Sequence, residues 1–143
     1  MKKIKFIFGV FWFAIISTDC KAQWSNLQQG VIGWVNTFYV DSVSNILFVG
    51  GNFDTVGGMN INNIATWDGT NWSTFGNNAI FSSPDDVSAI VNFNGDIVIG
   101  GGFDSIGSVL VNNIARWNGT VWESIGSGFN GAVRDLIISL LSD

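Results

Sequence analysis

The side chains with the most chemistry to offer are tryptophans, asparagines and aspartates. The chain has seven Trp, six of them after residue 22. An exposed indole stacks on a sugar ring, whereas a buried one contributes on the order of 150–250 Å² of packing surface. Trp67 and Trp72 recur fifty residues later as Trp117 and Trp122, and a residue kept at the same place in a repeat is expected to pack between repeats. Trp34 lies outside that set and is the candidate for an exposed, sugar-stacking aromatic. Asp54 and Asp104 recur in Phe-Asp-Thr-Val and Phe-Asp-Ser-Ile. One carboxylate per repeat is a pattern a cation could use, but calcium gathers several oxygen ligands at close spacing, and the sequence has no Asp-x-Asp. Both aspartates are therefore expected to cap turns through their side chains.

Asn62-Asn63 and Asn112-Asn113 offer paired amides, which a ligand can use and which can equally tie a loop to a strand; the second role is expected. Asp85-Asp86 follows Pro84. Paired carboxylates do acid–base work when held across a cleft, but neighbours in sequence point different ways, so a solvated loop is expected. The chain has no His, and Cys20 is its single cysteine. Imidazole–nucleophile pairs and the usual zinc sites need residues that are missing. The residues thus assign no catalytic, cofactor or metal role and no cofactor. Ligand-binding residues stay open.

The N-terminus explains where the cysteine and most of the basic charge reside. Lys2, Lys3 and Lys5 precede the apolar run Phe6 to Ile16, and Cys20-Lys21-Ala22 places small residues at −3 and −1 before Gln23. This is the pattern of a signal peptide over residues 1–22. The apolar run is too short for a transmembrane anchor, which takes roughly 20 residues. A lipid anchor on Cys20 is disfavoured because Asp19 stands where lipoprotein signals carry a small residue. After cleavage, Arg116 and Arg134 remain against ten carboxylates, a formal charge of −8. Such a surface repels phosphate backbones and disfavours nucleic acid as a partner.

Residues 47–77 align without a gap on 97–127, with fourteen of 31 positions identical. Each unit holds short extended segments separated by turn residues, the mark of an antiparallel four-stranded sheet. In the second unit these are Val87 to Phe93, Ile97 to Gly101, Ile114 to Trp117 and Trp122 to Ile125. Asn94-Gly95, Asn118-Gly119 and Asp68-Gly69 are dipeptides suited to type I′ hairpin turns. Asp41 to Asn45 is a longer loop, by two residues. The second strand, Ile46 to Val49 or Ile97 to Ile99, is apolar on both faces and is expected to end at a glycine pair where the chain leaves a crowded interior. Whole units are placed at about 35–77 and 87–127, with partial units at 24–30 and 133–143. Val133 to Leu141 suits either a strand or a short helix.

An apolar strand ending in Gly50-Gly51 or Gly100-Gly101, a strand ending in Trp67 or Trp117, a turn, and Trp72 or Trp122 opening the last strand resembles the kelch repeat. The string G-G-x-F-D, N-N-I-A-x-W, G-T-x-W is similar to kelch-like repeats of exported surface proteins of Bacteroidota. The resemblance spans residues 24–135 and implies all-β, propeller-type blades. It departs from the family in carrying Trp67 and Trp117 where Tyr is usual, and in Ile137 to Asp143, which stops short of another Gly-Gly strand. Asp41-Ser42-Val43, Asp54-Thr55-Val56 and Asp104-Ser105-Ile106 also resemble the O-glycosylation acceptor of that phylum. Copper oxidases with this kind of propeller use His, Tyr and Cys, whereas the chain after residue 22 keeps one Tyr and neither of the others.

A closed propeller takes about four to eight blades, and two blades with partial flanks fall short of that. The sequence is therefore expected to be a truncated frame or fragment of a longer surface protein, with ring assembly of several chains or an open wedge as the other readings. The function expected is non-enzymatic: an exported repeat protein, in the periplasm, at the cell surface or secreted, presenting blade surface to an unknown protein or glycan, with self-assembly or blades of a parent protein as further partners. The alternative is a carbohydrate-binding module using exposed Trp.

Overall fold

The computed structural model describes residues 30–77, 81 and 86–139. The signal-like segment, the partial unit before Gly30, and Pro84-Asp85 lie outside the described residues. The described chain is all-β. Its first sheet is formed by β1 (Val31–Asp41), β2 (Ile46–Val56), β4 (Ile64–Trp67) and β5 (Trp72–Thr74), in that spatial order, with the short β3 (Met59–Asn60) added to β2. The second sheet has β6 (Val87–Phe93), β7 (Asp96–Gly101), β10 (Ile114–Trp117) and β11 (Trp122–Ser124), again in meander order. Between β7 and β10, β8 (Ser105–Ile106) and β9 (Val109–Leu110) form a small separate hairpin. All pairings are antiparallel. These are two blade-like sheets, not a closed ring.

The turns follow local chemistry, with one correction. Phe93 pairs with Asp96, and Asn94 and Gly95 both take positive φ, 55° and 96°, which is the two-residue I′ turn expected. Asp68-Gly69 and Asn118-Gly119 do not form such turns. Trp67 pairs with Trp72 and Trp117 with Trp122, so each loop has four residues, and only the glycine is at positive φ. The reason is side-chain capture. Asp68 Oδ1 accepts the backbone N–H of Thr70 and of Asn71 at 2.8 and 2.7 Å, and Asn118 Oδ1 accepts those of Thr120 and Val121 at 3.0 Å each, giving Asx-type loops. Two further boundaries differ from expectation. β2 does not stop at Gly50-Gly51 but continues to Val56, where it pairs with both Val31 and Met59. Residues 132–139 form neither strand nor helix.

The sheets pack face to face through a shared core. Phe48 and Ile64 of the first sheet join Ile90, Ile97, Ile99, Ala115 and Trp122 of the second in one buried cluster. An aromatic chain runs through it. Tyr39 meets Phe48, Phe48 meets Phe75 at 5.0 Å, and Phe75 meets Trp117 at 5.8 Å and Trp122 at 5.9 Å. The Trp122 Nε1–H donates to the Gly76 carbonyl at 3.0 Å, so the buried indole is both packed and hydrogen-bonded. Trp67 and Trp72, with Val49, Phe53 and Ala65, form a second cluster on the opposite face of the first sheet.

Candidate binding surface

Strand β1 carries the most exposed apolar surface of either sheet. Ile32, Trp34, Val35, Phe38 and Val40 are all exposed, Trp34 at 77%. Across the ladder, Phe38 pairs with Val49 and Val40 with Leu47, and directly opposed residues share a face. Val49 is in the outer cluster and Leu47 packs against it, so Phe38 and Val40 extend the face of the first sheet that turns away from the second.

The repeat shows what that face does when covered. In the second sheet the residue paired to Ile99, the counterpart of Val49, is Ile90. Ile90 lies in the core between the sheets at 6% exposure, whereas Phe38 stands at 71%. The same position is thus a core residue in one unit and a surface residue in the other. Contiguous exposed apolar surface of this kind marks an interaction site.

The polar residues singled out in the sequence serve mostly to hold loops. Asn63 Oδ1 accepts the Phe53 N–H at 3.2 Å, Asn113 Nδ2 donates to the Phe129 carbonyl at 2.9 Å, and Asn112 Nδ2 donates to the Ser127 carbonyl at 2.8 Å. Asn63, Asn112 and Asn113 all adopt left-handed φ, which asparagine tolerates better than most residues. An open polar cleft of about 560 Å³ lies here between Asp104, the Asn112-Asn113 pair and Gly128 to Asn130, and the amides of Asn112 and Asn113 are already bound to backbone carbonyls.

Asp54 differs from expectation, since its Oδ1 accepts from the neighbouring Thr55 Oγ1 at 2.9 Å. The main-chain carbonyls of Asp54 and Asp104 hold the loop, accepting the N–H of Ile61 at 3.1 Å and of Val111 at 2.8 Å. Of the three Asp-Ser/Thr-aliphatic tripeptides, only Asp41-Ser42-Val43 lies on an exposed turn, since Val56 and Ile106 are buried.

Asp86 is the residue that sequence reasoning placed wrongly. It is partly buried where the first strands of the two sheets approach. Its Oδ1 accepts the Gly102 N–H at 3.0 Å, its Oδ2 accepts from the Ser88 hydroxyl and from Asn36 Nδ2 at 3.4 Å, and its carbonyl also accepts Gly102 N–H at 3.1 Å. Counting Asp85-Asp86 as a solvated pair missed this because the partners lie 16 and 50 residues away in sequence.

Electrostatics add a rim to the second sheet. Arg116 pairs with Glu123 across the β10–β11 ladder and lies 3.6 Å from Asp96. The hydrogen bond from Arg116 holds Glu123 below its ordinary pKa, while backbone donors from Asn71 and Thr70 lower Asp68, and Ser44 Oγ–H followed by the Val43 N–H lowers Asp41. A depressed folded pKa contributes stability that is complete above the unfolded carboxylate range and disappears as pH falls through the folded value. The urea midpoint is thus expected to hold level from neutrality down to about pH 5 and to decline below about pH 4. Asp68→Asn should remove part of that decline, and an acid limb unchanged in that variant would disprove the assignment.

Searched against protein families, curated proteins and solved structures, the chain finds no match.

Proposed function

We propose that the chain is a non-enzymatic, exported repeat protein of the kelch-like type that binds a protein partner through the exposed apolar side chains of β1 on the outer face of its first sheet. The observation that carries the reading is the contrast between Phe38 and Ile90, one position exposed in one unit and buried under a neighbouring sheet in the other. The residues repeated between units support it, because they serve turns, loop ties and packing: Asn63 and Asn113 fasten loops, and Trp122 seats on Gly76. The basic, apolar N-terminus supports export.

The test is direct. The full chain should bind the apolar dye ANS and show concentration-dependent association in sedimentation, and Phe38→Ser combined with Val40→Thr should reduce both without changing the circular dichroism spectrum. A wild-type chain that stays monomeric and dark with the dye would refute the reading.

One observation favours a second reading, recognition of a glycan. Trp34 is the most exposed tryptophan among the described residues, at 77%, and stands on the same strand. On a glycan array, binding that Trp34→Ala reduces tenfold or more while Phe38→Ser leaves it intact would select the sugar; an array without signal from folded protein would dismiss it.

A further inference from the structure

We infer that the far side of the second sheet is a docking surface for a three-stranded β-meander built like β7, β10 and β11, with Gly126 as the seat for its tryptophan. This goes beyond the partner face on β1, because it concerns the opposite end of the molecule and names what fits there.

The template is the junction between the two sheets. Trp122 lies so close over Gly76 that a Cβ there would stand 2.4 Å from the indole nitrogen, and Gly76 O accepts the indole N–H. Fifty residues on, Gly126 has nearly the same backbone, φ 57° against 62°, yet none of the described residues stands within 4 Å of its Cβ position. Phe75 beside the filled seat packs against Trp117 and Trp122, whereas its counterpart Ile125 is exposed. The second seat has the shape of the first without its indole.

A second, independent observation says which strands are needed. At Gly50, a Cβ would meet Val87 and Ile90, the residues of β6 that lie over the first sheet; at Gly100 it would meet Val133 and Leu136. Val133 also donates its N–H to the Gly101 carbonyl at 3.0 Å. The segment from Val133 therefore lies on the second sheet where β6 lies on the first. β6 is paired along its length with β7, while residues 132–139 have no ladder partner among the described residues, and Ile137 is 91% exposed. The segment is seated as an opening strand would be and, among the described residues, nothing pairs with its edge, the condition for β-strand addition.

The occupant follows from what β6 carries beside it. It must bring an apolar strand ending in a glycine pair, as β7 does, to lie along Val133 to Ile138. A strand like β10 follows, then one like β11, opening with a tryptophan whose indole N–H reaches the Gly126 carbonyl. An intact second copy does not satisfy this. Its own β1 already lies along its β2, so docking would bring two opening strands to one place.

A dye-labelled synthetic peptide of residues 94–127, which contains β7, β10 and β11, tests the proposal against the full chain by fluorescence anisotropy. Saturable one-to-one binding is expected. It should weaken at least tenfold for a peptide carrying Trp122→Ala and for a chain carrying Gly126→Asn, whose side chain fills the seat while tolerating the left-handed backbone. Ile137→Lys, at an exposed position, should weaken it as well, and the double variant Phe38→Ser/Val40→Thr should not. Lack of saturable binding, or binding indifferent to Trp122→Ala, Gly126→Asn and Ile137→Lys, would overturn the proposal. So would peptide binding abolished by the β1 double variant alone, which would assign the peptide to the first sheet's face instead.

Discussion

Trp122→Ala should destabilise the protein by about 3–5 kcal/mol, the range for removing a large buried aromatic. Three losses add at this site. The ring is 8% exposed and packs with Phe75 at 5.9 Å and Trp117 at 5.4 Å, all in the layer that joins the two sheets. The Gly76 carbonyl loses its donor. The glycine beneath the ring has no side chain of its own to fill the space, so the cavity stays open. Small domains hold only about 5–15 kcal/mol in total, which makes this a large share of what keeps the sheets together. Trp122→Phe separates the terms: it keeps an aromatic ring and forfeits the hydrogen bond and part of the packing, so it should recover most of the loss. Urea unfolding of the three proteins measures this. Equal midpoints for wild type and Trp122→Ala would mean that the junction between the sheets contributes little to stability.

That junction also shows how far the sequence could be read. The offset of fifty, the meander order and the two-residue turn at Asn94-Gly95 were legible because each is a local pattern: alternation, a turn dipeptide, and recurrence at fixed spacing. The packing role of Trp122 was legible for the same reason. What escaped are features set by contacts distant in sequence. Asp86 reads as half of a solvated acidic pair, but Asn36 and Gly102 converge on it in the fold. Asp68-Gly69 fits an I′ turn by composition, yet the free carboxylate captures two backbone donors and enlarges the loop. Phe38 and Ile90 are apolar residues on equivalent strands, and nothing local distinguishes the one that is covered from the one that is not. Val133 to Leu141 is ambiguous in sequence, and its described part, residues 133–139, has no ladder among the described residues to impose the period of two and is held by Val133 and Leu136 resting on the sheet below.

The glycine pairs give the second large effect. β7 ends at its pair, Gly100-Gly101, as expected of a strand end, but β2 runs on through Gly50-Gly51, so a requirement other than strand termination is common to both pairs. It is proximity. A Cβ on Gly101 would lie 1.9 Å from the Asp86 carbonyl oxygen, and one on Gly51 would lie 1.9 Å from the Trp34 carbonyl oxygen. The obstacle is main chain in both sheets, of β1 in the first and of the residue leading into β6 in the second, and main chain cannot rotate aside as a side chain can. Gly101→Ala must therefore push β6 away from β7 at the end where Asp86 ties to Gly102 and Ser88. Overpacking a tight interior typically costs about 1–3 kcal/mol, and loss of the part-buried hydrogen bonds at Asp86 adds roughly 0.5–1.5 more, so a loss of about 2–4 kcal/mol is expected. Gly131→Ala is the control, since none of the described residues lies within 4 Å of its Cβ position and its backbone needs no left-handed φ. The urea midpoint should fall steeply for Gly101→Ala and stay near wild type for Gly131→Ala, and amide exchange should rise first in β6 and β7. If Gly101→Ala unfolds at the wild-type midpoint, the close approach of the opening strand does not explain the repeated glycines, and their recurrence in the two units would have to come from somewhere other than the meeting of β6 with β7.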